Sequence, residues 1–174
     1  MIFAAIDRNS CEFYTYLDRV FEALQGKQRD YNWLITDSDI LAHSDRLDRL
    51  NTRPTMVQKD GKWEPVPCPA YHFLSGDDLT EMVENDRCQW IWAVLSGFEK
   101  DVPLEKILEY PLPYADGYRG FWKNPPSIQH PLASVELVPW DSSLVLLFSK
   151  KKELADLFRA AFSESEDLET YNAK

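Results

Sequence analysis

Glycine is scarce: six in 174 residues, none in a G-x-G pair, which excludes the glycine-rich loops that cradle phosphates. No G-x-S-x-G marks a nucleophile elbow, so Ser75 and Ser96 read as a helix cap and a turn. The three histidines, His43, His72 and His130, form no H-E-x-x-H, and zinc chemistry has no sequence support. Three cysteines, Cys11, Cys68 and Cys88, include no C-x-x-C pair and leave an odd thiol over. A disulfide scaffold is therefore excluded, and small core residues in a reducing cytoplasm are expected. Long apolar runs are missing too: Trp90–Leu95 and Leu144–Phe148 fall far short of the ~20 residues of a membrane helix. The start, MIFAAIDRNSCEF, has only a brief apolar run before Asp7 and Arg8 and reads as a buried strand, not a secretory leader.

Positive charge is also in short supply. Nineteen Lys and Arg face twenty-nine Asp and Glu, a formal charge of -10. Nucleic acid and anionic membrane are disfavoured as partners, whereas a basic protein would associate quickly. What is abundant is apolar and aromatic: 44% hydrophobic residues, with six Trp, eight Tyr and nine Phe. A chain of this length buries about 70% of its unfolded surface, enough for one core without metal or disulfide staples. One domain is expected over residues 1–162, followed by an acidic tail, 163–174, carrying Glu164, Glu166, Asp167 and Glu169.

The periodicities give an α+β class, with a mostly antiparallel sheet and three or four helices packed mainly on one face. Strands are expected at Ile2–Ile6, Tyr31–Thr36, Tyr71–Leu74, Gln89–Phe98, Ser134–Val138 and Leu144–Phe148. Thr55–Gln58 and Lys62–Val66 flank Asp60-Gly61, a type I′ hairpin signal, with Pro65, Pro67 and Pro69 confining the second arm to a sheet edge. Phe13, Tyr16, Leu17, Val20, Phe21 and Leu24 form a helical stripe after an Asn9–Glu12 capping box, stopped at Gly26. Further helices are expected at Asp45–Leu50, Ser75–Asn85, Pro103–Tyr110 and Lys151–Phe162. Residues 111–131, with five prolines and Tyr114, Tyr118, Phe121 and Trp122, read as an ordered surface excursion.

Two patterns carry candidate function. Asp37-Ser38-Asp39 after a hydrophobic strand offers two hard carboxylates to a divalent cation, the basis of a small hydrolase or transferase reading; as turn residues they need no such role. Asp77, Asp78, Glu81, Glu84 and Asp86 form an acidic helix face that is either solvated or an electrostatic docking surface. With Tyr118, Phe121 and Trp122 of the aromatic loop, Asp77, Asp78, Glu81 and Glu84 are the expected protein-binding residues. No cofactor is expected. A dyad of His72 with Cys68 or Cys88 is conceivable, but Cys68 and His72 bracket Pro69. The aromatic loop would serve a homodimer or an adaptor's partner equally well.

The runs Tyr31-Asn32-Trp33-Leu34-Ile35-Thr36-Asp37, Asn124-Pro125-Pro126, His130-Pro131-Leu132-Ala133 and Val135 through Ser143, with Ser149-Lys150 and Glu166 through Asn172, resemble small bacterial proteins placed among the immunity proteins of polymorphic or contact-dependent toxin systems. The resemblance implies a non-catalytic inhibitor that binds and neutralises a toxin domain. It brings no site residue with it. Many such toxins degrade nucleic acid and are basic, so an acidic chain would suit them.

Overall fold

The computed structural model describes residues 1–8, 15–42 and 44–174. Asn9, Cys11, Glu12, Phe13 and His43, to which the sequence assigns roles, lie outside the described residues.

The strands are β1 (Phe3–Asp7), β2 (Tyr31–Leu41), β3 (Thr55–Lys59), β4 (Lys62–Val66), β5 (Tyr71–Ser75), β6 (Gln89–Glu99), β7 (Val135–Trp140), β8 (Leu144–Ser149) and β9 (Ser165–Asp167). The helices are α1 (Leu17–Ala23), α2 (Asp45–Asp48), α3 (Gly76–Asn85), α4 (Leu104–Ile107), α5 (Lys152–Ala161) and α6 (Leu168–Asn172). Among the described residues seven strands form one antiparallel sheet in the order β5-β2-β6-β7-β8-β1-β9, and β3 and β4 pair only with each other. The class is α+β.

Alternation along the strands creates two cores. Trp33, Ile35, Ala93, Leu95, Val135, Leu137 and Leu147 point to one face, where α1, α2, α3 and α5 cover them. Ala4, Ile6, Val94, Val138, Leu146 and Phe148 point to the other. That face is covered by the proline-rich loop and α6, through Ala115, Phe121 and Leu168. A third cluster, Leu34, Phe98, Ile107 and Ala133, lies under α4.

Local chemistry explains the element ends. Ser75 caps α3 by accepting from the Asp78 N–H at 3.1 Å, and Asp77 and Asp78 stand at its positive end. Gly76 must be glycine: a Cβ there would lie 2.4 Å from the Gln28 carbonyl oxygen and 2.6 Å from that of Tyr31. This contact seats α3 against the chain entering β2. Asp60 (φ 49°) and Gly61 (φ 78°) both adopt the left-handed region, as a type I′ turn requires.

Three expectations need correction. Asp37-Ser38-Asp39 does not end a strand; β2 runs through it with a register shift between Thr36 and Ile40, and Asp37 takes φ 50° at the irregularity. The second hairpin arm does lie at a sheet edge, that sheet being a separate two-stranded ribbon. Ser96 occupies no turn: it is buried in β6 and donates to Glu136 at 3.0 Å. The stretch from Ser163 is no free tail, because β9 pairs with β1, Asp167 caps α6 through the Thr170 N–H (2.9 Å), and Leu168 is fully buried.

Candidate functional site

The acidic helix and the aromatic loop lie on opposite faces of the sheet. Leu79, Met82 and Val83 hold α3 to one core, while Phe121 plugs the other, so no flat interface includes both groups of expected contacts.

The acids of α3 are already engaged at home. Arg29 meets Asp77 at 3.1 Å and Glu84 at 3.5 Å, Arg46 meets Glu81 at 3.2 Å, and Asp78 accepts from the Ser75 hydroxyl at 2.6 Å. Exposed pairs of this kind contribute about 0–1 kcal/mol each, so they leave the field of the face more than its shape available to a partner. Asp86, the last acid of that run, lies beyond the helix as its C-cap.

The loop aromatics form a stack over β6, β7 and β8. Trp140 is its hub, with ring centroids 4.8 Å from Trp92, 5.3 Å from Trp122 and 5.8 Å from Phe121. Tyr118 packs on Phe121 at 4.7 Å and Phe121 on Phe148 at 5.5 Å. Phe121 is fully buried, so as a partner contact it is corrected to a core residue; Tyr118 and Trp122 are half-buried. Tyr114 is the loop aromatic that faces solvent.

Two carboxylates tie that loop down, and sequence reading weighed only one of them. Asp37 receives Arg53 in a two-pronged contact, Nε at 2.7 Å and Nη2 at 2.9 Å, together with the N–H groups of Ala115 (2.7 Å) and Asp116 (3.0 Å). Burial opposes its ionisation, but these donors and the guanidinium charge together hold its carboxyl below the usual carboxylate range. Both oxygens are thus spent on protein donors, and no group of three metal-ligating side chains occurs among the described residues. Asp39 stands opposite Trp92 in the β2–β6 pairing, across the same irregularity.

The irregularity is knotted in place by residues 50–53. The Ser38 carbonyl accepts from the N–H groups of Thr52 and Arg53, both at 3.1 Å, and Asn51 exchanges two hydrogen bonds with the Ile40 backbone. Arg53 also lies over the Trp92 ring at 5.0 Å.

Glu136 is the second anchor. Fully buried in β7, it accepts from the Ser96 hydroxyl, the Gln129 N–H (2.7 Å) and the His130 N–H (2.9 Å), fastening the loop's far end. Burial pushes its carboxyl up to about 7, with those donors and Lys150 pulling the other way. A lone Glu in an otherwise apolar strand, VELVPW, was the available signal. His130 is buried, kept below the usual histidine range by that burial, and its Nε2 faces the Ile107 carbonyl at 3.1 Å.

The thiols differ. Cys88 is buried, which with the nearby charges of Asp86 and Asp18 pushes it up to about 12. Cys68 is half-buried, and its Sγ donates to the Thr52 carbonyl at 3.1 Å, so the Cys68–His72 dyad is not formed. Both residues nevertheless line one cavity of ≈ 370 Å³ at the root of the β3–β4 ribbon.

That ribbon is the feature the sequence placed without valuing. All ten of its strand residues are exposed. Met56, Val57, Trp63 and Val66 are four of the nine large apolar side chains exposed among the described residues, and Trp63 is 65% exposed. A two-stranded ribbon in water is marginal by itself, so apolar side chains displayed on it are not explained by a core. No family model matches the sequence, and no curated protein or solved structure matches the chain.

Proposed function

We propose that this chain is a non-catalytic, acidic binding protein of the immunity type, which captures and neutralises a basic toxin domain. The observation that carries the reading is the exposed β3–β4 ribbon. Trp63 stands opposite Gln58 and Met56 opposite Pro65, which puts an aromatic anchor and an apolar neighbour on one side of a projecting element. Exposed Trp of this kind is what interface hot spots are built from. The formal charge of -10 supports a basic partner, steering it from a distance while the ribbon supplies the desolvated contact. Asp77, Asp78, Glu81 and Glu84 act in that long-range field, and Tyr118 and Trp122 support the opposite face. The proposed setting is the bacterial cytoplasm; no helix among the described residues is long and apolar enough to cross a membrane.

The test is capture from source lysate at low and high salt, followed by assay of the captured protein's own activity with and without this chain. A stoichiometric basic partner whose activity is suppressed is expected. Trp63→Ala then weakens the complex about 30-fold, the equivalent of a 2 kcal/mol hot spot. Reversing Asp77, Asp78 and Glu81 to Lys slows association at low salt far more than at high salt. A partner bound equally well by both variants, or one whose activity is untouched, refutes the reading.

A further inference from the structure

The two edges of the main sheet are finished differently. At one end β9 is three residues long and carries Glu166 and Asp167, a short and charged edge of the kind that discourages further pairing. At the other end β5 has none of these protections. Its sequence, YHFLS, contains no charged residue and no proline, and its five residues run in unbroken register with β2. Among the described residues, the backbone of Tyr71–Leu74 makes no hydrogen bond outside that pairing. The adjacent ribbon does not close the edge either, since its own ten residues are exposed.

Beside this edge lies the ≈ 370 Å³ cavity, with walls from Thr55 and Val66 at the ribbon root and from Pro67, Cys68, Pro69 and His72. Its volume suits one large apolar side chain. His72, whose Nε2 is buried without a hydrogen-bond partner, is itself a β5 residue, so cavity and strand edge are contiguous.

We propose that the open edge of β5 and this cavity together form the docking groove for an extended segment of a basic protein, which adds as an eighth strand. Resting on the function proposed above, this names how the partner is held: main-chain pairing along Tyr71–Ser75, with one apolar side chain in the cavity. Charge selects a basic segment. Exposed Asp77 and Asp78 follow β5 directly, Asp77 sharing Arg29. The ribbon is neutral, Lys59 and Lys62 balancing Asp60 and Glu64. Of the cavity's charged groups Arg53 is committed to Asp37 while Asp48 and Arg49 offset each other, so the acids after β5 and the overall charge of -10 set the sign. Net charge disfavours a second copy of this chain, because edge-to-edge pairing would bring two -10 chains into contact.

The probe is a phage-displayed library of random nonapeptides panned against the intact chain, with hydrogen exchange on the best binders. Enriched peptides are expected to alternate apolar and basic residues around one large apolar position. They slow exchange of the amides in Tyr71–Ser75 and lose at least tenfold in affinity against Cys68→Trp, which fills the cavity. No enrichment overturns the proposal, as do binders that leave those amides exchanging at the free rate, or a dimer of the unliganded chain that already protects them. If the groove fails while a toxin captured from lysate is still neutralised and remains sensitive to Trp63→Ala, the docking mode is wrong and the proposed function stands.

Discussion

Replacing Asp37 by Asn separates a carboxylate that fastens the fold from one that awaits a cation. Asn tolerates the left-handed φ of 50° as Asp does, so the backbone itself is not strained. The side chain fails instead. One oxygen of Asp37 serves Arg53 Nε; the other serves Arg53 Nη2 and the N–H groups of Ala115 and Asp116. Asn keeps its single oxygen where three donors converge, which turns its amide N–H₂ toward the Arg53 Nε–H, donor against donor. Losing one charge-assisted bond and the ion pair, at a site only 20% exposed, costs about 2 kcal/mol. For a chain of this size that is a fall in Tm of about 4–8 °C. The folded pKa of Asp37 lies below its ordinary value, so its contribution is present above about pH 4 and lost as pH falls through the folded value. The gap between wild type and Asp37→Asn therefore closes in acid. Thermal unfolding by circular dichroism across pH 2–8, with and without Mg²⁺ or Mn²⁺, reads all of this. An unchanged Tm, or a metal-dependent stabilisation that the variant abolishes, would refute the anchoring role and restore the cation-binding one.

Glu136 behaves with the opposite sign. Its folded pKa of about 7 exceeds the ordinary 4.5, so its contribution is present below pH 4.5 and lost as pH rises through 7. Within that window stability falls by up to about 1.4 kcal/mol per pH unit, and Glu136→Gln flattens the slope in urea titrations; a slope unchanged by the substitution contradicts the assignment. Gly76→Ala forces a Cβ onto two backbone carbonyls and lowers stability by about 1–3 kcal/mol, whereas an unaltered denaturation midpoint means α3 is free to shift. Phe121→Ala empties the centre of the aromatic stack at a cost of about 3–5 kcal/mol, with loss of near-ultraviolet circular dichroism as a second readout. Towards a thiol reagent at neutral pH, Cys68→Ser removes one reactive equivalent from the native chain and Cys88→Ser removes none.

Local physics was legible along much of the chain. The cap at Ser75, the apolar face of α3, the Asp60-Gly61 turn and the 144–148 strand are each specified by neighbours a few residues away, so periodicity and turn chemistry suffice to read them. The errors arose where a residue's role depends on distant partners. Asp37-Ser38-Asp39 has the composition of a turn, but residues 50–53 and the backbone at 115–116 supply hydrogen bonds that keep it within a strand. The composition of residues 163–174 reads as an acidic tail, whereas Leu168 finds a pocket, the Glu166 carboxylate pairs with Arg8 and Lys174, and β1 offers an edge to β9.

The sequence by itself determined most elements before residue 163, their class and the strong negative charge, because short-range periodicity and composition are carried by each segment alone. Tertiary structure alone decided three things. It placed the acidic helix and the aromatic loop on opposite faces, buried Phe121 while leaving Trp63 in water, and made β5 an unprotected edge beside a cavity. These depend on which strands neighbour one another and on which side of the sheet each connection crosses. Loop closure and long-range packing set that order, and no local pattern encodes it.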